Sequence, residues 1–508
     1  MMMYSELGPK EFYDKYVTDR KDYETRGEEF ARLTLPYILR KDGTDKGTPF
    51  DDTVAQSYGG RLVSTLKSKM GMTLLPASTS SFRFVPDQDA FEQIIGSEDS
   101  AAMVEIYKSL AVRTNQINTE IERQAIRESL FMVILNMMIV GSAIVEKKEK
   151  KGIILHPLKS ISVDLDSQGN AMAMCFMEKL SRLPEGITAP EEQDEYELYT
   201  FIHMDDEGEG WTVRQSVGEE DAGDEQKYKE DTLPYQYLGW TWVAGDKMHR
   251  PYVEDYFKEL DQLNKLAKVL TDGAVIAAKS LIFVDQRGGR TRTTDVANSD
   301  NGDVMDGNGE DVTAFQLGKN YDFQVPMERE ANLKRELAAA FLMNESATRD
   351  AERVTAEEIQ FMAKELEESS LSGIYSMMAT KWSKWIVRMI MSELKIKFDA
   401  VEPQIITGLD ALGRSQEARS LDNYVGRLVN LEMQEYLNKE ALAQKYAALE
   451  GLDMTGLIKT QEEVDAARQQ QQQQMIEQQA ATAGAEALGA TAGANAGGAA
   501  VPQPQPQQ

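Results

Sequence analysis

The chain has 508 residues, with 84 acidic and 55 basic side chains and a formal net charge of −29. This length is sufficient for two or three domains that each have a sizeable core. The acidic balance opposes a broad electrostatic grip on nucleic acid, because the phosphates would be repelled. The charge therefore excludes a strongly basic nucleic-acid-binding protein.

The residue types that carry most enzyme chemistry are scarce. The single cysteine, Cys175, excludes an intrachain disulfide and a thiolate metal cluster. His156, His203 and His249 lie far apart in the sequence and fit no metal-ligand spacing. We find no Ser/Cys–His signature and no nucleotide-binding loop, so no catalytic residue, metal or cofactor is predicted. The enzyme alternative is a hydrolase that uses the acidic segment 184–231.

The most apolar stretch, 130–140, continues to Val145 through Gly141 and Ser142. About 20 residues are needed to span a bilayer, so this stretch is too short and predicts a buried helix that runs into a strand. The start of the chain, Met-Met-Met-Tyr-Ser-Glu, lacks the basic and apolar segments of a secretory signal. We therefore expect no contact with a membrane.

The first 250 residues predict one α+β domain. A helix is expected from Glu11 to Leu35, where Pro36 ends it, and a second from Thr53 to Leu75. The later elements are a strand at 81–85, a helical region from Met103 to about Met138, short strands between Ala143 and Phe176, and strand-like runs at Tyr196–Met204 and Trp211–Val217.

The next part predicts a helix, a small β-containing excursion and a second helix. Pro251 opens the first helix, whose apolar stripe runs for about 28 residues. The second helix runs from Glu328 to Met343. The strands expected between them are 281–284, 312–317 and 321–325. If the excursion is compact, the two helices run antiparallel, side by side.

A polar segment and a long helix follow. The segment from Asn344 to Arg353 has almost nothing to bury, so one interpretation is a solvated connection between helices. Thr355 and Glu358 form a capping box that predicts the start of the long helix. An apolar stripe from Ile359 to Met389 predicts one rod of about 40 residues, roughly 60 Å long and docked along its length.

The C-terminal part predicts a strand and two helices before the pattern ends. The strand, 401–407, contains Pro403 and is therefore expected at a sheet edge. Two helices are predicted within Gly413 to Leu449. From about Ala466 the chain is rich in Gln, Ala, Gly and Pro, which predicts a segment that is disordered or ordered by a partner.

Two runs around the polar segment carry a resemblance to a known family. Phe341-Leu-Met-Asn344, Arg349 and Glu352-Arg-Val-Thr-Ala-Glu-Glu-Ile359 resemble the portal, or head-to-tail connector, family of short-tailed phages of the T7 type. Further matches lie at Asp19–Tyr37, Gly60–Pro76, Pro251–Lys279, Val401–Gly408 and Leu412–Arg414. The resemblance covers roughly residues 10–460 in unbroken order, so the whole arrangement is more specific than any single motif.

The resemblance implies a mixed α+β, mainly α-helical portal fold that assembles as a ring. The implied regions are a wing at 1–250, a first stem helix at 251–280, a clip at 281–326, a second stem helix at 327–343, a channel loop at 344–354, a long wing helix and strand at 355–408, a helical crown at 409–465 and a disordered tail at 466–508.

The resemblance also implies a function and a set of partners. It implies a ring of twelve subunits at one capsid vertex, which double-stranded DNA crosses during packaging and ejection. The partners it implies are terminase, scaffolding and major capsid proteins, a tail adaptor protein and internal core proteins. The expected location is the head–tail junction of the virion, after assembly in the host cytoplasm. The alternative is a helical scaffold or adaptor protein of a virion that is not a portal.

Three groups of residues are candidates for these roles. The channel-loop group is Asn344, Thr348, Arg349 and Arg353, with Arg349 favoured for DNA contact because it lies in the middle of the loop. The clip group, expected to face terminase or the adaptor, is Arg287, Arg290 and Arg292. The group that caps and fills the core of the long helix is Thr355, Glu358, Trp382 and Trp385.

Overall fold

The structure is a computed structural model that describes the greater part of the chain. The described residues are 4–41, 43, 54–77, 80–86, 100–184, 186–187, 194–205, 208, 210–278, 280–285, 292–299, 304, 310, 312–316, 324–343, 356–396, 403–407, 414–431, 433, 442, 446 and 473. The chain forms two compact units, one of residues 1–87 and 113–413 and one of residues 88–112 and 414–508.

The helices, given by their bounds, largely follow the predicted periodicity. They are α1 (Pro9–Leu33), α2 (Tyr58–Leu74), α3 (Ser100–Arg123), α4 (Ile126–Val140), α5 (Tyr252–Asp255), α6 (Phe257–Ala278), α7 (Thr293–Ala297), α8 (Gln324–Ala340), α9 (Ala356–Glu368), α10 (Ser372–Met377), α11 (Ser383–Glu393) and α12 (Arg414–Asn430). None of the helices in the described residues is both long and apolar enough to cross a membrane.

The strands form four antiparallel sheets within the described residues. They are β1 (Phe82–Pro86), β2 (Ser142–Lys148), β3 (Gly152–His156), β4 (Ile161–Leu165), β5 (Ala171–Leu180), β6 (Tyr196–Met204), β7 (Trp211–Val217), β8 (Glu220–Asp221), β9 (Gln226–Tyr228), β10 (Tyr235–Gly239), β11 (Ser280–Val284), β12 (Val312–Gln316) and β13 (Pro403–Thr407). The sheet orders are β4-β5-β6-β7-β8 with β9 on β7, then β10-β2-β3, β11-β12 and β1-β13.

Helix α1 covers the largest sheet with its apolar side. Phe12 stacks on Phe201 of β6, with ring centroids 4.5 Å apart. Tyr13 and the buried Cys175 belong to the same core cluster. Burial raises the pKa of the Cys175 thiol, so it remains a protonated, structural side chain. The core beneath α1 is therefore made by residues about 190 positions apart, which local pattern alone does not pair.

The helical region predicted from Met103 to Met138 is two helices rather than one. Helix α3 ends at Arg123, and Ala125 adopts a left-handed conformation with φ of +51° before α4 begins. The apolar helix α4 continues through Gly141 into β2, which confirms the predicted buried helix followed by a strand. The turn separates residues 109–123 of α3, which are partly exposed, from α4, which is buried on nearly every side.

Helices α6 and α8 pack against each other and run antiparallel, as predicted. Tyr252, just before α6, donates a hydrogen bond of 2.8 Å to the Ala340 carbonyl at the end of α8. The predicted strand at 321–325 is wrong in its described part, because Gln324 and Val325 already belong to α8. Pro326 takes a position in the first turn of α8, where its missing N–H leaves no hydrogen bond unmade.

The long helix predicted from Thr355 is not one continuous rod. Helix α9 ends at Glu368, a turn follows at 369–371, and α10 continues into a π-helical turn at Met378–Trp382 before α11. The Ser369 hydroxyl donates to the Leu366 carbonyl and accepts from the Leu371 N–H, so it competes with the helical hydrogen bonds. The predicted stripe is nonetheless buried from Ile359 to Met389.

The proline-containing strand near residue 403 lies at a sheet edge, as predicted. Strand β13 pairs with β1 in a two-stranded sheet, in which Pro403 stands opposite Pro86. In the second unit the structure describes α12, which confirms the first of the two helices predicted after Gly413. Most of the second predicted helix and nearly all of the tail lie outside the described residues.

Candidate functional site

The structure describes only part of the predicted site. Asn344, Thr348, Arg349 and Arg353 lie outside the described residues, as do Thr355, Arg287 and Arg290. Arg292 is exposed and takes the N-cap position of the short helix α7. Glu358 lies half-buried in the first turn of α9. The site can therefore be built from the two helix ends that flank residues 344–355.

The C-terminal end of α8 is closed by a Schellman motif. The Leu342 N–H donates to the Ala339 carbonyl at 3.2 Å, and the Met343 N–H donates to the Ala338 carbonyl at 2.7 Å. Leu342 has a φ of +52°, a conformation that glycine usually supplies. The chain therefore leaves α8 in a fixed direction immediately before Asn344.

Aromatic side chains hold this end of α8 in place. The fully buried Phe341 meets Tyr252 and Tyr256 edge-to-face, with ring centroids 5.0 and 5.4 Å apart. Burial raises the pKa of Tyr252, whose hydroxyl stays protonated and donates to the Ala340 carbonyl. The last turn of α8 is therefore attached to the start of the antiparallel helix by rings and a backbone hydrogen bond.

Helix α9 is attached to α2. Ile359, Met362 and Leu366 are buried on one side of α9. Lys69 of α2 forms an ion pair of 2.9 Å with Glu365, and the Lys69 side chain is only 4% exposed. A buried ammonium without a carboxylate partner is strongly destabilising, so this pair fixes how α9 lies along α2.

Helix α2 also supports α8. The Tyr58 hydroxyl, at the start of α2, donates a hydrogen bond of 2.9 Å to the Lys334 carbonyl of α8. One helix thus contacts both α8 and α9, the two elements that residues 344–355 connect. The helices on either side of the undescribed segment 344–355 are thus both attached to α2.

The C-terminal end of the run of helices from α9 to α11 is also fixed in place. The indole Nε1 of Trp385 donates to the Leu233 carbonyl at 2.9 Å, and Trp382 is fully buried in the π-helical turn. Glu393 accepts hydrogen bonds from Lys147 and Gln124. Burial opposes ionisation of Glu393, but these donors outweigh it and lower the pKa of the carboxyl. Trp382 and Trp385 are core residues, as predicted.

Large apolar side chains are exposed on the C-terminal half of α6 and at the N-terminal end of α8. Val269 and Val275 of α6 are each 55% exposed, and Val325 of α8 is 74% exposed. Met327 of α8 and Phe361 of α9 are exposed as well. Contact with another protein chain would remove such exposed apolar side chains from water.

The residues that hold the flanking helices are not among the predicted ones. Tyr58, Lys69 and Tyr252 were not singled out, because each acts through a partner more than 80 positions away. One signal was present: Lys69 lies on the same side of α2 as Leu62, Leu66 and Thr73, where a charged residue is unusual without a partner.

Comparisons with known proteins identify relatives along almost the whole chain. The family model of the bacteriophage head to tail connecting protein matches residues 10–458. A portal protein of Enterobacteria phage T3 is 29% identical over 512 residues, covering 96% of this chain and 95% of the relative. A portal protein of Escherichia phage T7 is also 29% identical, covering 90% and 89%.

Two solved structures also show similarity, at a low level. A virion of a native gene transfer agent has a TM-score of 0.38 and 10% identity, covering 83% of this chain and 96% of that one. The neck of a native gene transfer agent particle, computed with C12 symmetry, has a TM-score of 0.38 and 12% identity, covering 76% and 89%. We draw no conclusion about this chain from similarity at this level.

Proposed function

This chain belongs to the family of bacteriophage head-to-tail connecting proteins, and we propose that its copies close into a ring at one capsid vertex. Double-stranded DNA would cross that ring during packaging and ejection, and the tail would attach to it. The expected subunit number is twelve. The observation that best supports a ring is the exposed apolar surface of the α6–α8 hairpin.

The hairpin surface suits contacts between neighbouring copies. Burying a valine side chain is worth about 1.5–3 kcal/mol, so Val269, Val275 and Val325 together favour association strongly. A contact that joins different surfaces of two identical copies leads to a closed ring when the rotation between them closes. We therefore assign the exposed apolar side chains of the hairpin to the contacts between subunits.

The charge of the hairpin suits a surface that passes DNA without binding it. Helices α6 and α8 each carry three acidic and three basic side chains, so the hairpin is neutral in a chain of net charge −29. A strongly cationic surface would bind phosphates by releasing counterions and would arrest sliding. A neutral surface avoids both this arrest and the repulsion expected from the rest of the chain.

Residues 344–354 are the proposed constriction of the channel. Their flanking helices α8 and α9 are both held by α2, through Tyr58 and Lys69. Between Asn344 and Val354 the sequence has the cations Arg349 and Arg353 against Glu345, Asp350 and Glu352. A ring of such segments would touch DNA weakly, with Arg349 as the proposed contact. The alternative role of Arg353 is a structural ion pair with Glu357 or Glu358, which lie close to it in the sequence.

The other proposed contacts follow the same division of the chain. Arg287, Arg290 and Arg292 of 281–326 are proposed to face terminase or the tail adaptor. Residues 409–465 are proposed to meet internal core proteins, and residues 1–250 the scaffolding and major capsid proteins. The relatives reported above are named portal proteins, and we assign any ATP hydrolysis to terminase rather than to this chain.

Native mass spectrometry of the purified full-length chain tests the ring. We expect a species of about twelve times the subunit mass of 56.9 kDa. The double variant Val269→Asp, Val325→Asp should give folded subunits that no longer form this species, because each change places a carboxylate in the proposed contact. Val243→Asp is the control, since Val243 is exposed but lies outside the hairpin. Monomers or dimers of the unmodified chain would contradict the proposal.

A further inference from the structure

A cleft on the first unit lies beside the open edge of a sheet. Its volume is about 550 Å³, within the range of sites that bind small molecules or peptide segments. All five residues of β10, Tyr235–Gly239, line it. Because successive side chains of a strand point to opposite faces, a cleft lined by five in a row lies along the edge of the strand rather than over one face.

The hydrogen-bond register shows which backbone groups face outward. Strand β10 pairs with β2 on one side only, in the order β10-β2-β3. The Lys147 N–H donates to the Pro234 carbonyl, and the Trp240 N–H donates to the Gly141 carbonyl. Alternation along an antiparallel pair then directs the N–H and C=O groups of Tyr235, Tyr237 and Gly239 away from β2.

Thr241 is the next residue whose backbone groups point away from β2, and these groups have a partner. Thr241 exchanges two backbone hydrogen bonds with Arg250, of 3.1 and 2.8 Å. For Tyr235, Tyr237 and Gly239 no such backbone partner exists among the residues that the structure describes. The side-chain oxygen Oε1 of Gln236, also in the cleft, is buried without a donor in the same described set. Among the described residues, the edge therefore has three residues whose backbone N–H and C=O groups lack a backbone partner, and one side-chain oxygen that lacks a donor.

One helix face that lines the cleft is cationic. Lys381, Lys384 and Arg388 line it at helical spacing, and Trp385 lies on the same side. Arg388 pairs with Asp231 at 2.5 Å, and Lys381 donates to the neutral Asn170 amide oxygen at 3.1 Å. Neither lysine forms an ion pair with a carboxylate among the described residues. The acidic side chains in the cleft lining are Glu230 and Asp231, of which Asp231 is the one paired with Arg388. In a chain of net charge −29, the two lysines make this helix face a local site of attraction for carboxylates.

We propose that β10 accepts an extended, acidic peptide segment of a partner protein as an added strand in this cleft. The backbone of the segment would complete the ladder at Tyr235, Tyr237 and Gly239, and carboxylates would meet Lys381 and Lys384. Addition of a strand to an exposed sheet edge is a common mode of peptide recognition, with main-chain bonds for affinity and flanking pockets for specificity. Five residues of edge span roughly 17 Å, enough for a short segment.

Fluorescence anisotropy with a defined peptide tests the charge preference. The probe is a fluorescein-labelled octapeptide of alternating glutamate and valine, titrated with the full-length assembled protein, and the comparison peptide has lysine in place of glutamate. We expect the acidic peptide to bind at least about tenfold more tightly, and the variant Lys381→Glu, Lys384→Glu to remove that preference. Lys21→Glu, an exposed lysine of α1, should leave it unchanged. Absence of saturable binding of the acidic peptide below about 1 mM overturns the proposal.

Backbone modification separates strand addition from simple charge attraction. In an added strand only alternate N–H groups face β10. Two N-methylated forms of the peptide, one modified on the valines and one on the glutamates, should therefore differ, with only one losing about tenfold in affinity. Equal affinities of the two forms would overturn strand addition.

Amide hydrogen exchange at residue resolution locates the peptide. We expect Tyr235, Tyr237 and Gly239 to gain protection when the acidic peptide is added, whereas Gln236 and Leu238 are protected before and after. Protection of the three outward-facing amides in the assembled protein before peptide is added would assign this edge to a neighbouring copy and overturn the proposal.

Discussion

Lys147 and Glu393, 246 positions apart in the chain, form an ion pair of 2.9 Å with side chains only 4% and 6% exposed. The same carboxylate accepts hydrogen bonds from the Gln124 side chain and from the Lys150 N–H. Three separate parts of the first unit therefore meet at the end of α11. The pair and these hydrogen bonds together fix the position of that helix end.

Two variants of this pair test its contribution to stability. Glu393→Gln should lower the free energy of unfolding by about 3–5 kcal/mol, because it leaves the Lys147 ammonium buried without a counter-charge. The double variant Lys147→Met, Glu393→Leu should recover much of that loss. The exposed pair Lys364–Glu368 is the control, and Glu368→Gln should have no measurable effect. Equal effects of the buried and exposed changes, measured by denaturant unfolding, would contradict this account.

The buried His249 makes stability depend on pH in the weakly acidic range. Burial, with a smaller contribution from the Lys381 charge, lowers its pKa to about 4. The unfolded chain, with a histidine pKa of about 6.5, therefore binds a proton that the folded chain does not. The stabilising effect is complete above about pH 6.5 and is lost as the pH falls toward 4. Denaturant unfolding between about pH 5 and 7 should show this slope.

Two variants separate the titration of His249 from its hydrogen bond. His249→Gln should flatten the slope by up to about 1.4 kcal/mol per pH unit. Tyr237→Phe removes the 3.1 Å hydrogen bond to His249 Nδ1 but leaves the imidazole, so it should lower stability while keeping the slope. An unchanged slope in His249→Gln would assign the acid sensitivity to other groups.

Glycine should stabilise the end of α11. Lys395 has a φ of +52°, and the Ile396 N–H donates to the Met391 carbonyl at 3.0 Å, as in a Schellman motif. A side chain in this left-handed conformation costs about 1 kcal/mol, so Lys395→Gly should gain roughly 0.5–1 kcal/mol. Ala331→Gly, at an exposed position in the middle of α8, should lose about 1 kcal/mol. A loss of stability in Lys395→Gly would show that its side chain makes a contact of greater value.

Arg349 is the proposed DNA contact of the channel segment. Arg349→Ala should permit assembly and DNA entry but impair retention of the packaged genome, because a weak contact with phosphate is removed. Arg349→Lys keeps the charge and should retain DNA nearly as well. The measurement is the DNA content of purified heads after storage. Full and stable heads with Arg349→Ala would remove this residue from the mechanism.

The sequence predicts the helices well where one apolar stripe is continuous. Helices α1, α2 and α8 begin within five residues of the predicted positions, because their buried faces repeat at helical spacing. The same stripe continues across residues 369–371, so periodicity could not show the turn there. That turn depends on the Ser369 hydroxyl, which satisfies backbone groups that a helix would otherwise use.

Long-range partners could not be predicted from one sequence. Strands β1 and β13 were both predicted, but nothing local shows that residues more than 300 positions apart pair. Likewise a lysine at position 69 or 147 gives no indication of which glutamate will accompany it. The edge of β10 was also missed, because whether a strand has one neighbour or two is a property of the sheet and not of the strand.

The shared support that α2 gives to α8 and α9 has an evolutionary consequence. Tyr58 and Lys69 hold the two flanking helices without involving any residue between them. The cost of lengthening a connection grows slowly, by about 0.6 kcal/mol for each doubling. Insertions and deletions in 344–354 can therefore accumulate while the scaffold stays unchanged, so lineages can vary the length of this proposed constriction independently of subunit architecture.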